Sequence, residues 1–437
     1  MKRLVAVLGW AMPVLAQYAG PAILSRGDAP SAMSAGAQIS FRPFVDVSGI
    51  YDTGLAGVSV NAQGALANSA SAGIEVAGGI SGSHSWRHTQ IGLDYRGDIR
   101  HYAKTTYYDS TDQSMLLSIK HQFTRHILLN LRESAGIYSL GTGLLGLSPT
   151  VPFDPSQSFI PTTDFFDNRT IYGTSQVDLI IQKTARLSFD LGGAGFLNRR
   201  RSAGLFGATG ADAHGDVQYR LSRRITIGGN YTYTHFNFTG IFGSTDLHGG
   251  IATFAMQLTR RLEFSGYGGF MRVETKFLQN VPVDPAVAAI IGITEGTEVS
   301  YSVRYIPNLS ARLSESFARG VLYIAGGHTV TPGNGLFLTS SMTNISAGYT
   351  YTGLRQWSFN AQAAYNNGES IGNVVGNYKD ITGGMTVSRR ITRAVHALGA
   401  FTVRKYESGS FNLYNRTVYD ARVGIGFAPG DVPLRIW

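Results

Sequence analysis

The chain has no cysteine in 437 residues. Disulfides and thiolate metal sites are thereby excluded, although an oxidising secretory route would permit a disulfide. Charge is scarce too: Asp, Glu, Lys and Arg make up 15% of the residues, against roughly 25% in ordinary soluble domains. Beyond the N-terminus, no stretch approaches the run of about 18 apolar residues that a membrane helix needs. A contiguous basic stripe is also missing. The excess of Lys+Arg (37) over Asp+Glu (28) is scattered among turns, which argues against a nucleic-acid surface. There is no H-E-x-x-H and no P-loop, so the metalloprotease and nucleotide-phosphate signatures are absent. These absences point to a non-enzyme with no cofactor.

What is present begins with a leader. Lys2 and Arg3 form a positive start, Leu4 to Leu15 an apolar stretch, and Val14-Leu15-Ala16 a small-residue cleavage site before Gln17. This reads as a secretory signal peptide over 1–16. Removing it takes away two positive residues and lowers the formal charge from +9 to +7. Residues 17–37 lack periodicity and read as a flexible lead-in. Glycine is abundant (54 residues) and aromatics reach 11%, a composition suited to long strands.

Arginine then recurs in short polar turns: Arg87, Arg125, Arg186, Arg223, Arg260, Arg319, Arg355 and Arg393. The gaps are 38, 61, 37, 37, 59, 36 and 38 residues, a period that marks a supersecondary repeat. Each unit holds two long apolar-alternating stretches, a tight turn and a looser loop. Eighteen strands are expected by this count, with 16–18 the range, and the short turns follow every even-numbered strand. A β-propeller has a similar period but four short strands per repeat. Strands of 12–16 residues here instead suffice to cross a bilayer at a tilt, where about 9–11 are needed.

Alternation assigns the faces. In 90–102, Ile91, Leu93, Tyr95 and Ile99 oppose Gln90, Asp94, Arg96, Asp98 and Arg100. In 211–221, Val217, Tyr219 and Leu221 oppose Asp212, His214 and Asp216. In 416–427, Tyr419, Val423, Ile425 and Phe427 oppose Arg416, Asp420 and Arg422. Aromatics form two belts: Trp86, Phe123, Phe189, Tyr219, Phe264, Phe317, Trp357 and Phe427 near the short turns, and Tyr51, Tyr138, Tyr172, Phe196, Tyr231, Tyr233, Phe270, Tyr301, Tyr351, Tyr365 and Tyr406 near the long loops. Such belts fit the two interfaces of a membrane.

On these features the chain resembles the Gram-negative outer-membrane β-barrel proteins, and among them the porin-like barrels. The resemblance implies an all-β antiparallel barrel over 38–428 with short periplasmic turns and longer extracellular loops, sited in the cell outer membrane. It implies lipid, the barrel-insertion machinery and small polar solutes as partners, and leaves the oligomeric state open. Such proteins commonly end on an aromatic. Here Trp437 is terminal, but Pro429 and Pro433 interrupt the alternation; either Phe427 closes the barrel and 429–437 is a tail, or the end is a variant insertion signal.

Passive diffusion of small polar solutes is the function this implies, with a structural or export barrel acting beside a periplasmic partner as the alternative. Asp94, Arg96, Asp98, Arg100 and Arg132 are the candidate pore-lining residues, able to set up a transverse field or simply to compensate one another. The third external loop, 141–168, carries Asp154, Asp164 and Asp167; it either folds inward as a constriction or lies over the mouth. In loop 276–298, Asp284 can cap, Pro285 start and Gly292 stop a short helix whose apolar face would bury inside the mouth. Asp212, His214 and Asp216 share a face, but spacing by two splays them about 7 Å apart, so a metal would need a group from elsewhere. No metal site is assigned on sequence grounds.

Overall fold

The computed structural model describes residues 41–55, 70–104, 109–138, 170–200, 205–333, 335, 338–371, 376–409 and 415–429. The leader and the third external loop, with Asp154, Asp164 and Asp167, lie outside the described residues. Eighteen strands follow one another. They are β1 Arg42–Asp52, β2 Ser71–Ser85, β3 Thr89–Tyr102, β4 Ser110–Thr124, β5 Ile127–Tyr138 and β6 Thr170–Gln182. Next come β7 Leu187–Arg200, β8 Gly207–Arg220, β9 Ile225–Thr239, β10 Gly243–Gln257, β11 Leu262–Pro282 and β12 Glu295–Phe317. The last are β13 Gly320–Thr331, β14 Ser340–Leu354, β15 Trp357–Ser370, β16 Asn377–Arg390, β17 Val395–Ser408 and β18 Arg416–Phe427. Every neighbour pair is antiparallel, and β1 also pairs with β18 from Val45↔Phe427 to Asp52↔Asp420. The sheet is thus a closed barrel without a free edge, which is what a lipid environment demands of backbone N–H and C=O groups.

Side-chain faces follow the alternation in the sequence. Ile99 is 63% exposed and Val423 73%, whereas Asp94, Arg96, Asp98 and Arg100 on the other face of β3 are all at or below 6%. Outward apolar rows and inward polar rows are the pattern of a barrel with lipid outside. Near the short turns, Trp357 stacks on Phe359 with ring centroids 5.9 Å apart, and Phe317, Tyr349 and Tyr351 continue the run of rings. Tyr351 therefore belongs to the short-turn belt rather than the long-loop belt, because β14 runs toward the turn at Arg355. Phe196 and Tyr406 leave the belt as well: both are inward and buried.

The short turns share a second feature that the arginines overshadow. Thr184, Ser222, Thr259 and Thr392 each accept from two backbone N–H groups with the side-chain oxygen, at 3.0–3.3 Å. These hydroxyls satisfy donors that a tight turn leaves without ladder partners. The eight arginines themselves are exposed.

Two long-loop connections differ from expectation. β11 and β12 run to 21 and 23 residues and pair up to Pro282↔Glu295, so the hairpin projects well past its neighbours. Its tip is α1, Pro285–Ile291, with Asp284 accepting from Ala286 N–H at 2.8 Å and Gly292 closing it at φ 69°. The helix is where the sequence places it, but Ile290 is 84% exposed, so that side chain is not buried in the mouth. The ladder extends the hairpin away from the barrel and carries the helix with it.

The connection 332–339 does the reverse. β12 and β13 pair only as far as Leu309↔His328. Past that point Gly335 C=O accepts from Phe206 N–H at 2.9 Å, and Thr339 Oγ1 meets Thr245 Oγ1 at 2.5 Å. Val330 and Leu338 join Phe196, Phe236, Leu247 and Val273 in a buried apolar cluster. A segment after β13 is thereby held against β8, β9, β10 and β11 from the inside. Gly335 sits at φ +89°, a backbone conformation that favours glycine.

Candidate functional site

The inward wall is the chemically rich surface of this molecule. On β3, the four residues expected to line a pore face inward, and three of them, Arg96, Asp98 and Arg100, are locked into one network. Glu75 of β2, with no exposed side chain, accepts from Arg100 Nε at 3.0 Å, Arg422 Nη2 at 2.6 Å and Arg96 Nη2 at 3.4 Å. Asp98 sits 3.3 Å from Arg100 Nη2 and 3.9 Å from Arg96 Nε, and Asp112 of β4 takes another hydrogen bond from Arg100. Asp46 of β1 lies 4.0 Å from Arg96 and accepts from Ser48 Oγ at 3.3 Å. The register explains the convergence: Glu75 faces Arg100, and Asp98 faces Asp112. Asp94 is inward and 4% exposed.

Arg132 of β5 is half-buried on the same wall. Its cross-strand partners are Ser118 and Gln176. Beside it, Asp178 of β6 accepts from Gln176 Nε2 at 3.1 and 3.3 Å and from Asn130 Nδ2 at 3.3 Å. His214 of β8 stands between two carboxylates: Nε2 is 3.3 Å from Asp178 Oδ1, and Nδ1 is 3.3 Å from Asp212 Oδ2. Asp216, which the sequence groups with these two, instead accepts from Asn230 Nδ2 at 2.7 Å. Spacing within β8 revealed Asp212 and His214. It did not reveal Asp178 or Asp190 of β7, whose positions depend on the register between strands.

A third inward group joins Asp380, Asn366 and Thr382 on β15 and β16 to Arg404 and Tyr406 on β17. Asp380 accepts from Asn366 Nδ2 at 3.3 Å and Thr382 Oγ1 at 3.1 Å, and Arg404 Nη1 donates to Tyr406 Oη at 2.7 Å. The stretch Gly368–Gly372 spells G-x-S-x-G, but Ser370 ends a strand and its N–H donates to Gly376 C=O at 3.0 Å. That is a hairpin connection into β16, not the strand-to-helix turn that exposes a nucleophilic serine.

No protein-family model matches the chain, and no curated protein does. Among solved structures it is similar to the copper transporter OprC, with 10% identity and a TM-score of 0.46 over 91% of this chain. The chain spans 66% of OprC's length. It is also similar to OpdQ of Pseudomonas aeruginosa (10% identity, TM-score 0.42, 90% of this chain and 98% of that one). A third is the E. coli ferric-catecholate import receptor Fiu in its open form (10% identity, TM-score 0.44, 92% of this chain and 82% of that one). Likeness at this level carries no weight for function, and the barrel assignment rests on the chain's own strand order, closure and faces. By that geometry the protein is a closed antiparallel β-barrel of eighteen strands whose outward apolar rows and inward polar rows suit a membrane-spanning barrel.

Proposed function

We propose that the protein is an outer-membrane channel for passive diffusion of small polar solutes. The observation that carries this reading is the inward wall: charged and amide side chains from β1–β9 and β14–β18 face the barrel axis, while apolar rows such as Ile99, Val423 and Ile425 face outward. Eighteen strands enclose a lumen wide enough for an aqueous path. A barrel serving only as a scaffold gains nothing from such a wall, because unpaired polar groups turned inward cost free energy unless water or partners satisfy them.

The ion-paired groups around Glu75 stiffen the wall, and Arg132 is positioned to act on passing ions. Single-channel recording in planar bilayers tests the reading. A steady open conductance is expected, and Arg132→Glu is expected to shift the reversal potential toward cation preference. Silence of the pure protein, with conductance restored only by a periplasmic partner, would replace diffusion by export.

A further inference from the structure

We propose that Asp178, Asp190 and His214 form a binding site for one divalent transition-metal ion on the inward wall, with Asp212 orienting the imidazole. The site goes beyond the channel reading and does not depend on it, because the wall carries these groups whether or not solutes pass.

The ligand atoms of the three residues all lie within 4.8 Å of one another. Donors around a common ion at about 2.1 Å sit about 3.4 Å apart in a tetrahedron. The Asp178 Oδ1 to His214 Nε2 separation of 3.3 Å already has that length, and a small side-chain rotation brings in Asp190. One histidine nitrogen with two carboxylate oxygens, leaving a position for water, is a donor set that zinc accepts.

The surroundings are built in the manner of a metal site. Asp212 Oδ2 faces His214 Nδ1 at 3.3 Å, which fixes the ring with Nε2 directed at Asp178, the carboxylate–histidine–metal arrangement. Gln176 and Asn130 donate to Asp178 and hold that carboxylate in turn. The carboxylate on the Nδ1 side of the ring is itself buried. Asp212 is 7% exposed, and its Oδ1 is a buried acceptor without a hydrogen-bond donor.

Gly192 makes the convergence possible. The row Asp178↔Gly192↔His214 runs across β6, β7 and β8, so the two ligands are separated by a whole strand and reach each other over a residue with no side chain. A Cβ at Gly192 would stand 2.4 Å from Asp178 Oδ1 and 2.6 Å from His214 Nε2. The space that a methyl group would fill is where the two donor atoms meet.

The test uses the full barrel, purified in detergent, stripped with a chelator and titrated with zinc chloride by calorimetry. Cobalt substitution gives an independent visible-absorption readout. One zinc per barrel is expected. His214→Ala and Gly192→Ala should each abolish binding, and Asp212→Asn should weaken it about tenfold, as loss of an orienting carboxylate does. Gly192→Ala removes no ligand, so its folded state, read as heat-modifiable migration on gels, keeps the test decisive even if His214→Ala fails to insert. His235→Ala, in the outward His235–Asp246 pair, should bind as the parent does. Absence of zinc binding in the parent overturns the proposal, as does binding that survives Gly192→Ala and His214→Ala or is lost in His235→Ala.

Discussion

Glu75 shows how one residue can hold several strands of the wall. It has 0% exposure and receives hydrogen bonds from arginines on β3 and β18, so a single carboxylate ties β2 to strands on both sides of it. Removing one partner of a buried ionic group leaves the others uncompensated, at a cost of about 3–5 kcal/mol. Glu75→Ala should therefore lower the stability of the barrel by about that amount, measured as the shift in guanidinium unfolding midpoint of the refolded protein in detergent. Glu75→Gln, which keeps an acceptor oxygen but loses the charge, should fall between Glu75→Ala and the parent. Glu369→Ala, on an exposed position of β15, should stay within about 0.5 kcal/mol of it. A Glu75→Ala barrel as stable as the parent would mean that the arginines are satisfied by the remaining acids, Asp46, Asp98 and Asp112.

At the level of elements, the described residues after β13 that pack on the inner wall are Gly335, Leu338 and Thr339. Leu338 is 3% exposed within the apolar cluster, and Thr339 Oγ1 reaches Thr245 Oγ1. Truncating a buried leucine costs about 2–5 kcal/mol through lost contacts and the cavity left behind. In Leu338→Ala combined with Thr339→Ala, that loss falls on the docked segment, which is expected to swing out of the mouth. Single-channel conductance should rise and the segment should become cleavable by added protease; unchanged conductance would mean that the solute path runs elsewhere. Little of this arrangement is legible in the sequence. Strand existence was, since outward and inward rows alternate locally in every strand, as Asp94 to Arg100 in β3 and Val217 to Leu221 in β8 show. The docked segment joins residues 94 apart, Thr245 and Thr339, and no local pattern records such a contact; only the closely spaced Gly333 and Gly335, both at positive φ, hint that the chain turns sharply there. The long β11–β12 hairpin was hidden for a related reason. Beyond Leu278↔Val299 its pairing continues through polar residues such as Gln279↔Glu298 and Asn280↔Thr297, where the apolar alternation imposed by lipid has ended. The candidate metal site was half legible: Asp212 and His214 stand out on β8, but Asp178 and Asp190 join them only through inter-strand register, which a single sequence does not state.

At the scale of the whole molecule, everything above depends on one seam. The barrel closes where β1 meets β18, with Val45↔Phe427, Val47↔Ile425 and Gly49↔Val423 in register. A slip of one residue there would turn every side chain of one strand to the other face. Asp46 and Ser48 would then point into lipid and Val45 and Val47 into the polar wall, and Arg422 would lose Glu75. Closure in this register is thus coupled to the ionic network as well as to the outward apolar rows. The complete lack of cysteine makes it directly measurable. Val47→Cys paired with Ile425→Cys should oxidise to a disulfide, because directly opposite residues of an antiparallel pair bring their Cβ atoms to about 4.5–5.5 Å, close to the separation a disulfide bridges. Val47→Cys paired with Phe427→Cys is a diagonal placement, about 7–8 Å apart, and should cross-link far less. The bridged form should migrate as a compact species on gels even after heating, until reductant is added. Preferential cross-linking of the diagonal pair would relocate the seam by two residues, and cross-linking of neither would show that β1 and β18 do not meet in the membrane.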